Sequence, residues 1–227
     1  MNFIEGEVIL IDKPLEWTSF DIVNKVRYII RDYLKVKKIK VGHAGTLDPL
    51  ATGLLILCTG KFTKKIEEYQ AQAKEYVTTI KLGATTPSFD RETEEDATFP
   101  INHIDRVFID NVLKKFIGEQ EQMPPMFSAK KVNGKKAYEA ARKGETIELK
   151  ANKIVINSIE VMEFELPYIK LKVKCSKGTY IRALGRDIGK ELNSGGYLFD
   201  LRRTKIGNYN VESAINISDF EKMVNNL

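Results

Sequence analysis

Twelve residues of this 227-residue chain, Gly42-His43-Ala44-Gly45-Thr46-Leu47-Asp48-Pro49-Leu50-Ala51-Thr52-Gly53, combine three glycines, a proline, a histidine and a single carboxylate. Glycine and proline at this density shape a loop rather than a helix or a strand. The apolar run that follows, Leu54-Leu55-Ile56-Leu57-Cys58, reads as a buried strand or the start of a helix that would hold the loop stiff. An acid on a stiff loop beside a packed element is a place where a carboxylate can act as a nucleophile or a general base. Asp-Pro also begins ordinary turns with the carboxylate bonded to nearby backbone, and on residue types alone the turn is the commoner case.

The elements that must position this loop follow from periodicity. Residues 7–11 read as a first strand. Residues 19–34 place Ile22, Val23, Val26, Ile29, Ile30 and Leu34 on one helical face, with capping-box spacing between Thr18 and Asp21 and a possible staple between Trp17 and Ile22. Tyr76, Thr78, Ile80 and Leu82 alternate as in a half-buried strand. Residues 90–98 are acidic and poor in apolar side chains, which predicts a mobile loop. Residues 105–117 predict a helix with Ile109, Val112, Leu113, Phe116 and Ile117 inward and Gly118 as its stop. Two strands are expected over 154–164 and 168–175, and a helix over 180–193 despite Gly185 and Gly189. Ser218 with Glu221 predicts a capping box for a last helix. Strands and helices mix without strict alternation, so the expected class is α+β with a mainly antiparallel sheet and flanking helices.

Composition narrows the function. Hydrophobic residues make up 43% of the chain, ordinary for a globular protein with a sizeable core. Cys58 and Cys175 sit in apolar or alternating runs and read as buried thiols, and with two histidines and no Cys-x-x-Cys no metal site is expected. No basic leader and no apolar stretch of ~18 residues is present, so the expectation is a cytoplasmic protein without a membrane span. The net charge of +5 favours a polyanionic partner. Residues 124–153 hold eight basic residues against three acidic ones, and Lys35, Lys37, Lys38 and Lys40 precede the Asp48 loop. Each cluster alone is most simply a solvated surface; two beside one candidate loop suggest an RNA footprint.

The loop from Gly42 to Gly53 resembles the signature of the TruB family of tRNA pseudouridine synthases. Further blocks of that family match in order: Lys13-Pro14 with Trp17-Thr18-Ser19, Lys74-Glu75-Tyr76, Pro124 to Lys131, Cys175 to Arg182, and Leu201-Arg202-Arg203-Thr204. The resemblance implies a pseudouridine synthase fold with a bent central sheet, in which residues 1–227 form one catalytic domain and residues 124–152 an inserted RNA-binding thumb. It implies isomerisation of the T-loop uridine of tRNA, position 55, without cofactor, metal or obligate protein partner. Asp48 would be the catalytic carboxylate, Arg182 the cation that holds it ionised, and Tyr76 the ring that stacks on the flipped uracil with its hydroxyl near C5. Tyr180 and Leu201 would line the base pocket, His43 would remodel the RNA loop, and Lys64 and Lys130 would meet phosphates. Taken singly, Tyr76, Tyr180 and Leu201 also fit a plain core, Arg182 a helix surface and His43 a satisfied loop histidine.

The chain departs from the pattern in two places. The family's Asp-Thr-x-Asp-x-x-Gly stretch is replaced by Ser88-Phe89-Asp90-Arg91-Glu92-Thr93-Glu94-Glu95-Asp96, in which Asp90 would keep the base-flipping role. The C-terminal RNA-binding domain of many members is not expected here. Other readings of the same residues are a non-catalytic RNA-binding or RNA-folding protein, a small-nucleoside hydrolase, and an enzyme working inside a guide-RNA particle.

Overall fold

The computed structural model describes residues 1–128, 131–132, 135–136 and 149–227. Lys130 and most of the expected thumb lie outside the described residues. The chain folds as two compact units, Met1–Tyr76 with Leu201–Leu227, and Val77–Asp200.

The first unit holds β1 (Val8–Lys13), α1 (Ser19–Leu34), β2 (Val41–His43), β3 (Ala51–Thr59) and α2 (Ile66–Ala71). Strand β4 (Lys74–Leu82) starts there and runs into the second unit, which adds β5 (Ala84–Thr85), β6 (Ala97–Thr98), α3 (Arg106–Lys114) and β7 (Gly118–Gln122). Then come β8 (Lys131–Val132), β9 (Lys135–Lys136), β10 (Asn152–Glu165), β11 (Tyr168–Cys175) and α4 (Ile181–Glu191). Strand β12 (Gly196–Ile206) leads back to the first unit, which closes with β13 (Tyr209–Asn210) and α5 (Ile217–Asn225). No helix is long and apolar enough to cross a membrane among the described residues.

In the first unit β3 is the centre. It pairs antiparallel with β1 and with β2, and parallel with the end of β12, where Leu201, Arg202 and Arg203 oppose Ala51, Thr52 and Gly53. Leu55 and Leu57 pack with Ile9 and Ile11 against α1 and α5, through Ile22, Val26, Ile30, Phe220 and Val224. Leu54, Ile56 and Cys58 pack on the opposite face with Ala44, Ile206 and Val211. A strand buried on both faces reads as an unbroken apolar run, which is why the sequence left strand and helix open here. The capping box forms as expected: Thr18 Oγ1 accepts from the Asp21 amide, and the Asp21 carboxylate accepts from the Thr18 amide.

In the second unit β4, β11, β10 and β7 lie in that order, with β10 antiparallel to both its neighbours. The sheet is thus mixed, with the β3–β12 pairing its parallel step among the described registers. Two expectations need correction. The last helix is capped by Asn216, whose side chain accepts from the Asp219 amide, and the Ser218 hydroxyl donates to Asn216 instead of opening a box with Glu221. The acidic segment 90–98 is tied at several points. Lys81 Nζ and the Tyr197 hydroxyl both donate to Glu95 Oε1, at 2.6 and 2.8 Å. Asp96 donates its amide to the Thr85 carbonyl, and β6 pairs with β5.

Helix α4 keeps Gly189 for a steric reason. A Cβ there would stand 2.3 Å from the Gly195 carbonyl carbon and 2.4 Å from the Gly196 nitrogen, so helix and turn meet backbone to backbone. On propensity alone Gly189→Ala should stabilise the helix by about 1 kcal/mol. Overpacking of this kind costs about 1–3 kcal/mol and concerns rigid backbone. Gly189→Ala is therefore expected to lower the melting temperature by several degrees, and thermal unfolding of the two proteins checks the sign.

Candidate active site

The loop bearing Asp48 is fixed by its own unit from three directions. Ser19, the first residue of α1, bonds both ways with Leu47: its hydroxyl donates to the Leu47 carbonyl at 3.1 Å and accepts the Leu47 amide at 2.8 Å. Lys13, wholly buried at the end of β1, donates its ammonium to the carbonyls of Pro14, Trp17 and Pro49 at 2.8, 2.6 and 3.3 Å. Arg203, 1% exposed on β12, donates to the carbonyls of Leu54 at 2.7 Å, Gly45 at 3.1 Å and Thr46 at 3.5 Å. Asp48 itself is half-buried and its carbonyl accepts the Ala51 amide at 3.0 Å, closing the turn. The loop thus turns at Asp48 through its main chain, with its path held from outside by Ser19, Lys13 and Arg203.

Electrostatics single out this corner. Burial pushes the Lys13 ammonium down to about 8, the Asp48 carboxylate opposes that fall, and the Arg203 charge adds to it. Asp48 therefore lies near enough to the buried Lys13 ammonium to act on it. Arg203 also hydrogen-bonds the Tyr76 hydroxyl. Tyr76 is buried on β4, and Leu201 is buried two residues before Arg203. Gly53 must lie bare against this strand, since a Cβ would stand 2.3 Å from the Arg203 carbonyl oxygen at a φ of +102°. His43, at the end of β2, is held below the usual imidazole range, first by burial and then by the Arg203 charge, against a bond to the Gly45 backbone. The first unit thus brings together Asp48, Tyr76, Leu201 and His43. Lys64 lies exposed on the turn at Gly60–Lys65.

The second unit assembles its own site around Arg182, 4% exposed in the first turn of α4. The guanidinium donates to the Phe127 carbonyl at 2.7 Å and the Ser88 carbonyl at 3.2 Å, and pairs with Asp90 at 3.4 Å. Asp90 is held by the Ser88 hydroxyl and the Glu92 amide. The sequence analysis gives Arg182 to Asp48; within its own unit the guanidinium pairs with Asp90. Tyr180 caps α4, and the buried Gln122 amide binds both its amide and its carbonyl, at 2.8 and 3.1 Å.

Three functional supports escaped the sequence reading: Lys13, Arg203 and Gln122. The first two lay within recognised blocks, but nothing in a single sequence marks a lysine or arginine as buried, and such burial is rare. Gln122 sits in Gly118-Glu119-Gln120-Glu121-Gln122, which reads as solvent-facing throughout.

Lys13 gives a prediction about pH. Its buried ammonium is disfavoured, so below pH 8 both folded and unfolded chains hold the proton and the folded state bears the full penalty. Between pH 8 and 10.5 the unfolded chain holds more protons, so stability rises with pH by up to about 3 kcal/mol from this group. Wild type is expected to gain stability relative to Lys13→Met across that window, as read by urea denaturation. A difference that stays flat from pH 7 to 10.5 contradicts the assignment.

Comparison with known proteins agrees with this geometry. Residues 31–181 match the family model described as TruB family pseudouridylate synthase, N-terminal domain. The chain is 60% identical over 220 residues to the tRNA pseudouridine synthase B of Phocaeicola vulgatus, covering 97% of this chain and 94% of that one. It is 59% identical to the protein of the same name in Parabacteroides distasonis, covering 97% and 95%. Among solved structures it is similar to the Cbf5 chain of a Cbf5–Nop10–Gar1 complex, with a TM-score of 0.71 and 27% identity over 97% of this chain. It spans only 54% of that longer one. With its signature loop, its ordered blocks and its fold all agreeing, the chain belongs to the TruB family of pseudouridylate synthases.

Proposed function

We propose that the chain converts the T-loop uridine of tRNA, position 55, to pseudouridine, with Asp48 as the reacting carboxylate. The relatives at 59 and 60% identity carry the name tRNA pseudouridine synthase B over nearly their whole length. The observation that supports the assignment is the fixed loop: half-buried Asp48 sits in a backbone held by Ser19, Lys13 and Arg203, with the buried Lys13 ammonium near its carboxylate. The reaction breaks the N1–C1′ bond, turns the uracil and joins C5 to C1′; the proton leaves C5 and N1 gains one. It needs no change of redox state. A carboxylate serves whether it attacks the nucleoside or takes up a proton, and a rigid loop keeps it aimed.

Tyr76 supports the second half of the reaction. Its ring would stack on the flipped base, and its hydroxyl is bonded to a buried guanidinium. That bond would fix where the hydroxyl stands, near C5 of the stacked base. Leu201 and Tyr180 would bound the base, His43 would fill the space the base leaves, Lys64 and Lys130 would meet phosphate, and Asp90 would act through Arg182. The two buried thiols fit a reducing, cytoplasmic setting.

Asp48→Asn is expected to reduce single-turnover conversion of a T-arm hairpin by at least ~10³-fold, about 4 kcal/mol of transition-state stabilisation. Hairpin affinity should stay within about threefold, because losing a negative charge does not weaken binding to a polyanion. Freshly prepared Asn protein that still makes pseudouridine would overturn the assignment, and release of free uracil by wild type would favour a nucleoside hydrolase. Arg182→Lys keeps the charge but loses the planar fork that reaches the Ser88 and Phe127 carbonyls together with Asp90. Conversion should fall by ~10²-fold with affinity nearly unchanged. A near-normal rate would reduce Arg182 to a helix anchor.

A further inference from the structure

Some exposed basic side chains of the first unit have a carboxylate partner and some do not, and three without one stand together before the loop. Lys25 is paired with Glu221, Lys35 with Asp32 and Lys61 with Glu5. Lys37, Lys38 and Lys40 are exposed, and no carboxylate among the described residues pairs with them, the neighbouring Glu67 and Glu68 included. Residues 35–40 contain four lysines and no acid. Like charges this close repel, which a solvated surface normally relieves by interspersing acids.

The backbone fixes where these charges stand. The Lys40 carbonyl accepts the Gly60 amide at 2.9 Å, and Val41 opposes Thr59 in the β2–β3 register. Gly60 has a φ of +51° and a Cβ there would lie 2.0 Å from the Ile4 carbonyl oxygen, so the junction leaves no freedom. It joins the segment 37–40 to the turn bearing Lys64. Strand β2 leads from Val41 to His43, whose next neighbours are the loop of Asp48. At about 3.3 Å per residue Lys40 lies roughly 10 Å from His43, and Lys37 at most about 20 Å. The three charges therefore lie within about 20 Å of His43, on the segment that leads into the loop of Asp48.

Resting on the reading of the chain as an enzyme acting on RNA, we infer that Lys37, Lys38 and Lys40 form a phosphate track. The track grips the sugar-phosphate backbone of the RNA stem on one side of the target uridine. A-form stems present a regular phosphate array that proteins read by shape, and flexible lysines suit such contacts as point charges. The track would fix the RNA's register against the loop while reading no sequence.

The test couples protein charge to RNA charge. The triple variant Lys37→Gln, Lys38→Gln, Lys40→Gln and wild type bind hairpins in which single phosphates are replaced by neutral methylphosphonates, over a series of salt concentrations. For the unmodified hairpin, the variant should bind ~10–100-fold more weakly and its log–log salt slope should fall by about 2 to 3, with kcat within about twofold. At a run of consecutive stem phosphates, neutralisation should weaken wild type but leave the variant unaffected. The triple lysine-to-arginine variant should keep the wild-type slope. Strictly additive losses at every phosphate, or an unchanged slope, overturn the track. A fall in kcat without coupling to any phosphate also overturns it, since the segment would then merely support His43. Wild type that binds the hairpin yet forms no pseudouridine would overturn the enzymatic reading instead, while the binding arms still decide the track.

Discussion

A guanidinium buried among main-chain carbonyls is the constraint on which the first unit depends. Taking a charge out of water costs several kcal/mol, and among the described residues the Arg203 guanidinium is met by the carbonyl oxygens of Gly45, Thr46 and Leu54 and by the Tyr76 hydroxyl. Charge-assisted bonds of about 1.5–3 kcal/mol each can balance that cost only if all three carbonyls converge. Convergence dictates the path of the loop before Asp48, and it dictates the parallel register that sets Arg203 against a side-chain-free Gly53. Any slip of β12 by one residue would turn Arg203 to the other face and leave those oxygens without their donor. Strand pairing, loop shape and the Tyr76 hydroxyl thus hang on one side chain.

Lys13 adds a second buried cation from the opposite side of the loop. Two like charges so near each other raise each other's cost, and the Lys13 ammonium is lowered in part by Arg203. Asp48 works in the other direction. The carboxylate that would do the chemistry is also a counter-charge that opposes the cost of burying the Lys13 ammonium.

How far the sequence told this depends on the kind of element. Amphipathic elements with one wet face declared themselves: α1 over its full length with its capping box, β11 by alternation, and α3 by its apolar stripe. Strand β3 was ambiguous because both its faces are buried. Strand β12 went unseen because Asp200, Arg202, Arg203, Thr204 and Lys205 read as surface. In fact Arg202 is spent on Asp12 in a two-pronged pair at 2.7 and 3.0 Å, and Arg203 on the loop. The segment 90–98 looked loose for its acids, yet those acids are what Lys81, Thr85 and Tyr197 bind. Single-sequence reading misjudges charges whose partners lie far along the chain, because it prices each as solvated.

The two units bury an arginine in two different ways, and the difference bears on what each can do. Arg203 is held by carbonyl dipoles, which neither titrate nor leave. Arg182 is held partly by Asp90, a full charge that is itself fixed by Ser88 and Glu92. A carbonyl cage answers weakly to an incoming anion, whereas a guanidinium–carboxylate pair redistributes its charge when another anion approaches, because the interaction is Coulombic and of long reach at low dielectric. The carbonyl cage therefore suits a loop whose main chain must keep one path. The ion pair suits the unit whose arginine would respond to a polyanionic substrate. On this view the fold separates a rigid scaffold from a responsive charge, and it places each where its physics is useful.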